Sequence, residues 1–214
     1  MTAATAAPEH VRAFIAITLD PGQIAELKQV QQNLQTRLPG DAVRWVRPDQ
    51  LHLTLKFLGH VPRATLAGLT AALNRASEGI ASFRLALAGI GCFPDAKRPR
   101  VVWIGMNGDL DSLRRLQSQI ERETQGLGDL RESRDFQPHL TIGRVKAGGI
   151  PARNVGECVE RAVAPQAAEL AVRQIHLIQS ELSPEGARYT TLATAALIDA
   201  NALGPFTGSP EKIE

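Results

Sequence analysis

The stretch Leu51-His52-Leu53-Thr54-Leu55-Lys56-Phe57-Leu58 is echoed later in the chain by His139-Leu140-Thr141-Ile142-Gly143-Arg144-Val145. Both are short runs of aliphatic residues broken by a histidine and a threonine two positions apart. Side chains on a strand alternate faces with period two. In the first copy His52, Thr54 and Lys56 are therefore predicted on one face, with Leu53, Leu55 and Phe57 on the other. In the second, His139 and Thr141 share a face and Leu140 and Ile142 point away. Each strand thus buries an aliphatic row and presents an imidazole beside a hydroxyl. Two such strands facing each other would build a cleft holding two histidines and two threonines, a reagent set suited to proton transfer at a phosphodiester.

Signals around the two copies alternate between helix and strand. Val11–Leu19 reads as a strand, and Asp20-Pro21 then supplies an N-cap and a first-turn proline for a helix to about Arg37, ended by Pro39-Gly40. A short strand over Val43–Val46 and a turn at Pro48-Asp49 precede the first motif strand. Thr65–Ser77 has Leu66, Leu69 and Leu73 on one helical stripe, and Leu110–Glu123 has Leu113, Leu116 and Ile120. Phe83–Cys92 and Val101–Met106 read as strands joined by the loop Phe93–Arg100. A short helix is expected near 153–163, and Leu170–Gln179 and Tyr189–Leu197 form a hairpin about Pro184-Glu185-Gly186. Short connections between several strands favour α+β with antiparallel sheets over a parallel, doubly wound sheet. The expectation is one domain over 1–214 with two related lobes about a central cleft, an ordered core near 11–198, and loose tails at 1–10 and 201–214.

Composition narrows the function classes. A net charge of +2 and a pI near 8.7 permit an anionic partner without requiring one. Cys92 and Cys158 have no CxxC spacing and suit small apolar packing in a reducing cytoplasm. No apolar run is long enough to span a bilayer, and the first ten residues lack a signal-peptide pattern. The His-x-Thr spacing supplies too few ligands for zinc, and neither a GxxxxGK[ST] loop nor a GxSxG elbow occurs. Gly89-Ile90-Gly91 lacks the third glycine of a dinucleotide fingerprint. The expectation is a metal-independent enzyme without a cofactor.

Other candidates are weaker. Arg144 follows His139 by five, so strict alternation turns it off the histidine face unless Gly143 admits a bulge. Lys56 is on the catalytic face by parity, with a solvated strand-end lysine as the alternative. His10 in the tail, His60 beyond Gly59 in a turn and His176 in a late strand have no motif around them and are read as non-catalytic. Phe14, Trp45 and Trp103 are read as core, with stacking on a base as the alternative. Lys97, Arg98 and Arg100, with Arg44 and Arg47, either follow an RNA backbone or solubilise a loop.

The flanking text makes the pattern specific. Arg12-Ala13-Phe14-Ile15-Ala16-Ile17, the run from Arg44-Trp45-Val46-Arg47-Pro48 into His52-Leu53-Thr54-Leu55-Lys56-Phe57-Leu58-Gly59, Val101-Val102-Trp103-Ile104-Gly105, and Pro138-His139-Leu140-Thr141-Ile142-Gly143-Arg144 together resemble the two-histidine (2H) phosphoesterase superfamily. Within it the chain is most similar to the bacterial and archaeal RNA 2′,3′-cyclic phosphodiesterases, first named 2′-5′ RNA ligases. The resemblance implies that His52 is the proton donor and His139 the acceptor, and that Thr54, Thr141 and Arg144 contact phosphate. It implies an RNA substrate ending in a 2′,3′-cyclic phosphate, with tRNA fragments as candidates, opened to a 2′-phosphomonoester. The sequence shows no dimerisation heptad or large apolar surface stripe, so a monomer is the expectation. The residues alone do not distinguish the roles of His52 and His139. Action on small cyclic nucleotides and a non-catalytic RNA-binding module are the alternatives.

Overall fold

In the computed structural model, residues 9–38, 40–128, 135–146, 150–163, 169–183 and 186–199 are described. Their strands join one antiparallel sheet: β1 (His10–Thr18), β2 (Val43–Trp45), β3 (His52–Pro62), β4 (Phe83–Phe93), β5 (Val101–Gly108), β6 (His139–Val145), β7 (Glu169–Val172), β8 (Gln174–Ser183) and β9 (Gly186–Ala196). The order is β7-β4-β5-β6-β3-β1-β8-β9, with β2 added to β6. Among the described residues four α-helices accompany it: α1 (Pro21–Gln35), α2 (Leu66–Ser77), α3 (Leu110–Glu123) and α4 (Ile150–Glu160). The α+β class and antiparallel pairing read from the sequence are those observed.

The helices start and pack for the reasons their sequences give. Asp20 caps α1 by accepting from the Gly22 and Gln23 amides, while the Gln23 side chain accepts from the Asp20 amide, a reciprocal capping box. Leu69 and Leu73 of α2 and Leu113, Leu116 and Ile120 of α3 are fully buried. They meet Ile15, Leu53, Leu58, Ile104, Leu140 and Ile142 in one core between the helices and one face of the sheet. A small second cluster, Phe14, Ala16 and Ile178 with Tyr189, lies apart from it on the other, open face.

The motif strands meet at the middle of the sheet, where Leu53 faces Leu140. Beyond them, β3 pairs with β1 and β6 with β5, so the two halves mirror each other about that contact. Each motif strand also carries a bulge at the same place. Against β1, Thr54 pairs with Ala16 and Lys56 with Ile15, leaving Leu55 unmatched. Against β5, Thr141 pairs with Trp103 and Gly143 with Val102, leaving Ile142 unmatched. An extra residue resets the alternation of everything after it.

That reset corrects two expectations. Lys56 is only 7% exposed and turns to the helix side, where its Nζ meets the Glu121 carboxylate of α3 at 2.6 Å. Phe57, expected with the aliphatic row, is 51% exposed on the open face. Other differences are local. His10 opens β1 opposite Pro62, outside any tail. His60 lies within β3, which runs on through Gly59 at φ 74° where a turn was expected. The single strand expected over Leu170–Gln179 is two, β7 on β4 and β8 on β1, because the chain changes sheet neighbours at Arg173. The β8–β9 hairpin is present, with Ser183 facing Gly186. Its expected turn residues Pro184 and Glu185, the expected helix stop at Pro39 and the segment 201–214 lie outside the described residues.

Candidate active site

Continuing the Leu53–Leu140 register by one residue in each direction sets His52 beside Thr141 and Thr54 beside His139. The four side chains form a crossed set on the open face, each imidazole next to the other motif's hydroxyl. Neither threonine hydroxyl makes a hydrogen bond within the described residues, so both remain available to a ligand.

The imidazoles are held identically. His52 Nδ1 lies 2.7 Å from the Gln50 carbonyl, and His139 Nδ1 lies 2.7 Å from the Gln137 carbonyl. A carbonyl only accepts, so Nδ1 carries the proton and donates it, and Nε2 is the free, basic nitrogen. The repeat therefore extends back to Gln50 and Gln137, a correspondence visible in the text Gln-x-His-Leu-Thr. Rings fix the rest of the orientation. His52 packs against Phe14 at 4.7 Å and edge-on to Tyr189 at 5.4 Å. His139 meets Phe93 edge-on at 4.9 Å, and Phe93 rests on Trp103 at 5.2 Å. Phe93 and Tyr189 are site residues that the sequence did not single out.

Burial dominates the electrostatics. It holds the pKa of His52 below its usual value of 6.5, opposed by the Gln50 carbonyl and assisted by the charges of His139 and Arg144. Burial likewise lowers His139, opposed by the Gln137 carbonyl and assisted by Arg144. The influence of Arg144 on both rings follows from the bulge at Ile142, which returns it to the histidine face, the case in which the sequence allowed it a role. Burial also raises the Tyr189 hydroxyl.

The remaining candidates separate cleanly. Trp45 packs on the core side, beside Gly143. Phe14 flanks His52 directly, and Trp103 backs the Phe93 ring that meets His139. His176 is buried, with its ring nitrogens 3.2 Å from Thr18 Oγ1 and 3.0 Å from Thr194 Oγ1. Arg44 faces Arg144 directly across β2 and β6. Arg47 is paired with Asp49 at 2.9 Å. Lys97, Arg98 and Arg100 lie in the exposed β4–β5 loop, where the Arg100 carbonyl accepts from the Val145 amide next to Arg144. Cys92 and Cys158 are free and partly buried against the core, and burial, with Glu160 and Asp95 nearby, pushes the Cys92 thiol up to about 11. Among the described residues no three His, Cys, Asp or Glu side chains gather as a metal site.

The family model for LigT-like phosphoesterases matches the chain twice, over residues 17–103 and 104–189, once per motif. The chain belongs to the LigT-like phosphoesterase family. A relative from Methanothermobacter thermautotrophicus, named RNA 2′,3′-cyclic phosphodiesterase, is 33% identical over 85% of this chain and 96% of its own. One of the same name from Aeropyrum pernix is 35% identical over 72% and 85%. Among solved structures, a Thermus thermophilus protein superposes with TM-score 0.71 and 30% identity, covering 88% of this chain and 99% of its own. Escherichia coli LigT in complex with 3′-AMP gives TM-score 0.71 and 28% identity, again over 88% and 99%. The present chain is thus a LigT-like enzyme of the phosphoesterase class, and no helix among its described residues is long and apolar enough to cross a membrane.

Proposed function

We propose that this LigT-like phosphoesterase hydrolyses 2′,3′-cyclic phosphate ends of RNA to 2′-phosphomonoesters, acting without a metal or cofactor, as a cytoplasmic monomer. The observation that carries this is the crossed pair of His-x-Thr motifs, with both Nε2 atoms free on one face and both hydroxyls uncommitted. The names of the relatives point to the same substrate end.

His139, neutral, takes a proton from water through Nε2 as the water oxygen attacks phosphorus. His52, protonated, donates from Nε2 to the departing 3′ oxygen as its bond to phosphorus breaks, leaving the phosphate on the 2′ oxygen. Two proton transfers of this kind are each typically worth about 10²–10⁴-fold. Thr54, Thr141 and Arg144 stabilise the non-bridging oxygens where negative charge grows. An anionic phosphate between the imidazoles also offsets the burial that keeps them neutral, drawing a proton onto one of them. The pseudo-twofold arrangement leaves the donor and acceptor roles to the direction in which the substrate lies. With a ribose 5′-hydroxyl as nucleophile in place of water, the same two proton transfers open the ring in the direction of a 2′-5′ linkage. Water at about 55 M disfavours that direction unless both ends are held together.

The deciding experiment is digestion, in EDTA, of a short RNA ending in a 2′,3′-cyclic phosphate, with the product phosphate assigned by NMR. A 2′-phosphate is expected, and His52→Ala and His139→Ala should each lower kcat by about 10²–10⁴-fold with RNA binding retained. Turnover unchanged in both variants would remove the two-histidine mechanism. A 3′-phosphate would reverse the oxygen that leaves.

A further inference from the structure

Arg44 and Arg144 occupy directly opposite positions on β2 and β6. Cross-strand partners place their side chains on one face only about 5 Å apart at Cβ, and like charges so placed repel. Neither guanidinium has a carboxylate partner among the described residues, whereas Arg47, Arg75, Arg84, Arg114 and Arg122 all do.

The local structure enforces this juxtaposition. β2 is three residues long and, among the described residues, pairs only with β6. Its flanking residues Val43 and Trp45 pack toward the core against Gly143, where a Cβ would come within 2.6 Å of Val43 Cγ1. Gln31 of α1 donates to the carbonyls of both Val46 and Ile142 at 2.8 Å, pinning the two strands together. With Val43 and Trp45 turned inward, Arg44 must face outward on the histidine side, beside Arg144.

We propose that Arg44 is a substrate-selecting residue. It binds the phosphodiester on the 5′ side of the terminal nucleotide, next to the cyclic phosphate held by Arg144 and the threonines, and so favours an RNA chain over a free cyclic mononucleotide. This rests on the hydrolase reading above. Two adjacent guanidiniums at an open rim match two successive phosphates of a single strand, since each phosphate neutralises one of the repelling charges.

Steady-state kinetics of wild type, Arg44→Gln and Arg44→Lys on a nucleoside 2′,3′-cyclic phosphate and on a dinucleotide with the same end separate the possibilities. For Arg44→Gln, kcat/KM on the dinucleotide should fall about 10-fold through KM, while the mononucleotide stays within about twofold. Arg44→Lys should recover part of the loss. Relief of repulsion should raise the Tm of the free glutamine variant by about 1–3 °C. An equal loss on both substrates would place Arg44 at the reacting phosphate and overturn the proposal, as would no loss on either. If wild type turns over neither substrate, the hydrolase reading fails by itself. Arg44 is then judged by binding of a dinucleotide ending in a 2′-phosphate. The slope of log K against log salt should shrink by about 0.7 in Arg44→Gln, and an unchanged slope overturns the proposal.

Discussion

The imidazole of each His-x-Thr motif is tied by Nδ1 to a carbonyl two residues back, and burial depresses both pKa values from 6.5. A base must be neutral, so rate is lost as pH falls through its pKa. An acid must be protonated, so rate is lost as pH rises through its pKa. With both values lowered and the two charges repelling, the singly protonated pair is most abundant on the acid side of pH 6.5. We expect the kcat/KM optimum there, measured on a cyclic mononucleotide. Arg144 lowers both histidines, so Arg144→Ala should move that optimum to higher pH while reducing kcat/KM about 10–100-fold. An optimum that stays put or moves to lower pH would show that Arg144 does not act on the pair. At this scale the histidines and threonines were legible because they repeat. The carbonyls of Gln50 and Gln137 were not marked by chemistry, since any residue supplies one. Phe93 and Tyr189 come to the site from strands distant in sequence.

Helices and strands were legible from periodicity, and α3 and β6 match their expected bounds. Parity within β3 was not. The bulge at Leu55 is a property of pairing with β1, and no residue in His52–Phe57 announces it, so Lys56 and Phe57 were placed on each other's faces. The structure makes Lys56 a structural residue under α3. Lys56→Met should therefore leave kcat/KM within about twofold. It should also cost about 1–3 kcal/mol, toward the low side of a broken buried pair because Glu121 keeps some contact with water. A large loss of activity at unchanged Tm would put Lys56 back in the site. Gly143 gives a second test of the same architecture. Gly143→Ala drives a methyl into Val43, so β2 must lift away, with a loss of about 1–3 kcal/mol and of the Arg44 contribution together.

The two halves look separable, yet the chain does not keep them separate. β1 and β3 lie on one side of the Leu53–Leu140 contact, while β2, between them in sequence, pairs with β6 on the other. β4 to β7 complete that second side, and β8 and β9 then return to extend β1. Each half is thus assembled from segments distant in sequence, and the two family matches at 17–103 and 104–189 cut across both halves. The repeat of His-x-Thr revealed the pseudo-symmetry. The interleaving was hidden because the Leu170–Gln179 run gives no sign that β7 and β8 go to opposite ends of the sheet. The core is shared by helices and strands of both halves, so neither can bury its apolar face alone. Thermal unfolding should therefore be one transition, with calorimetric and van't Hoff enthalpies equal. Fluorescence of Trp45 and Trp103, both on the β6 side, should report the same midpoint as far-ultraviolet circular dichroism, which sees every strand. Two separated midpoints would show that the halves fold independently. The site would then form by docking of two domains, and the crossed histidines and threonines would depend on that interface in place of one continuous sheet.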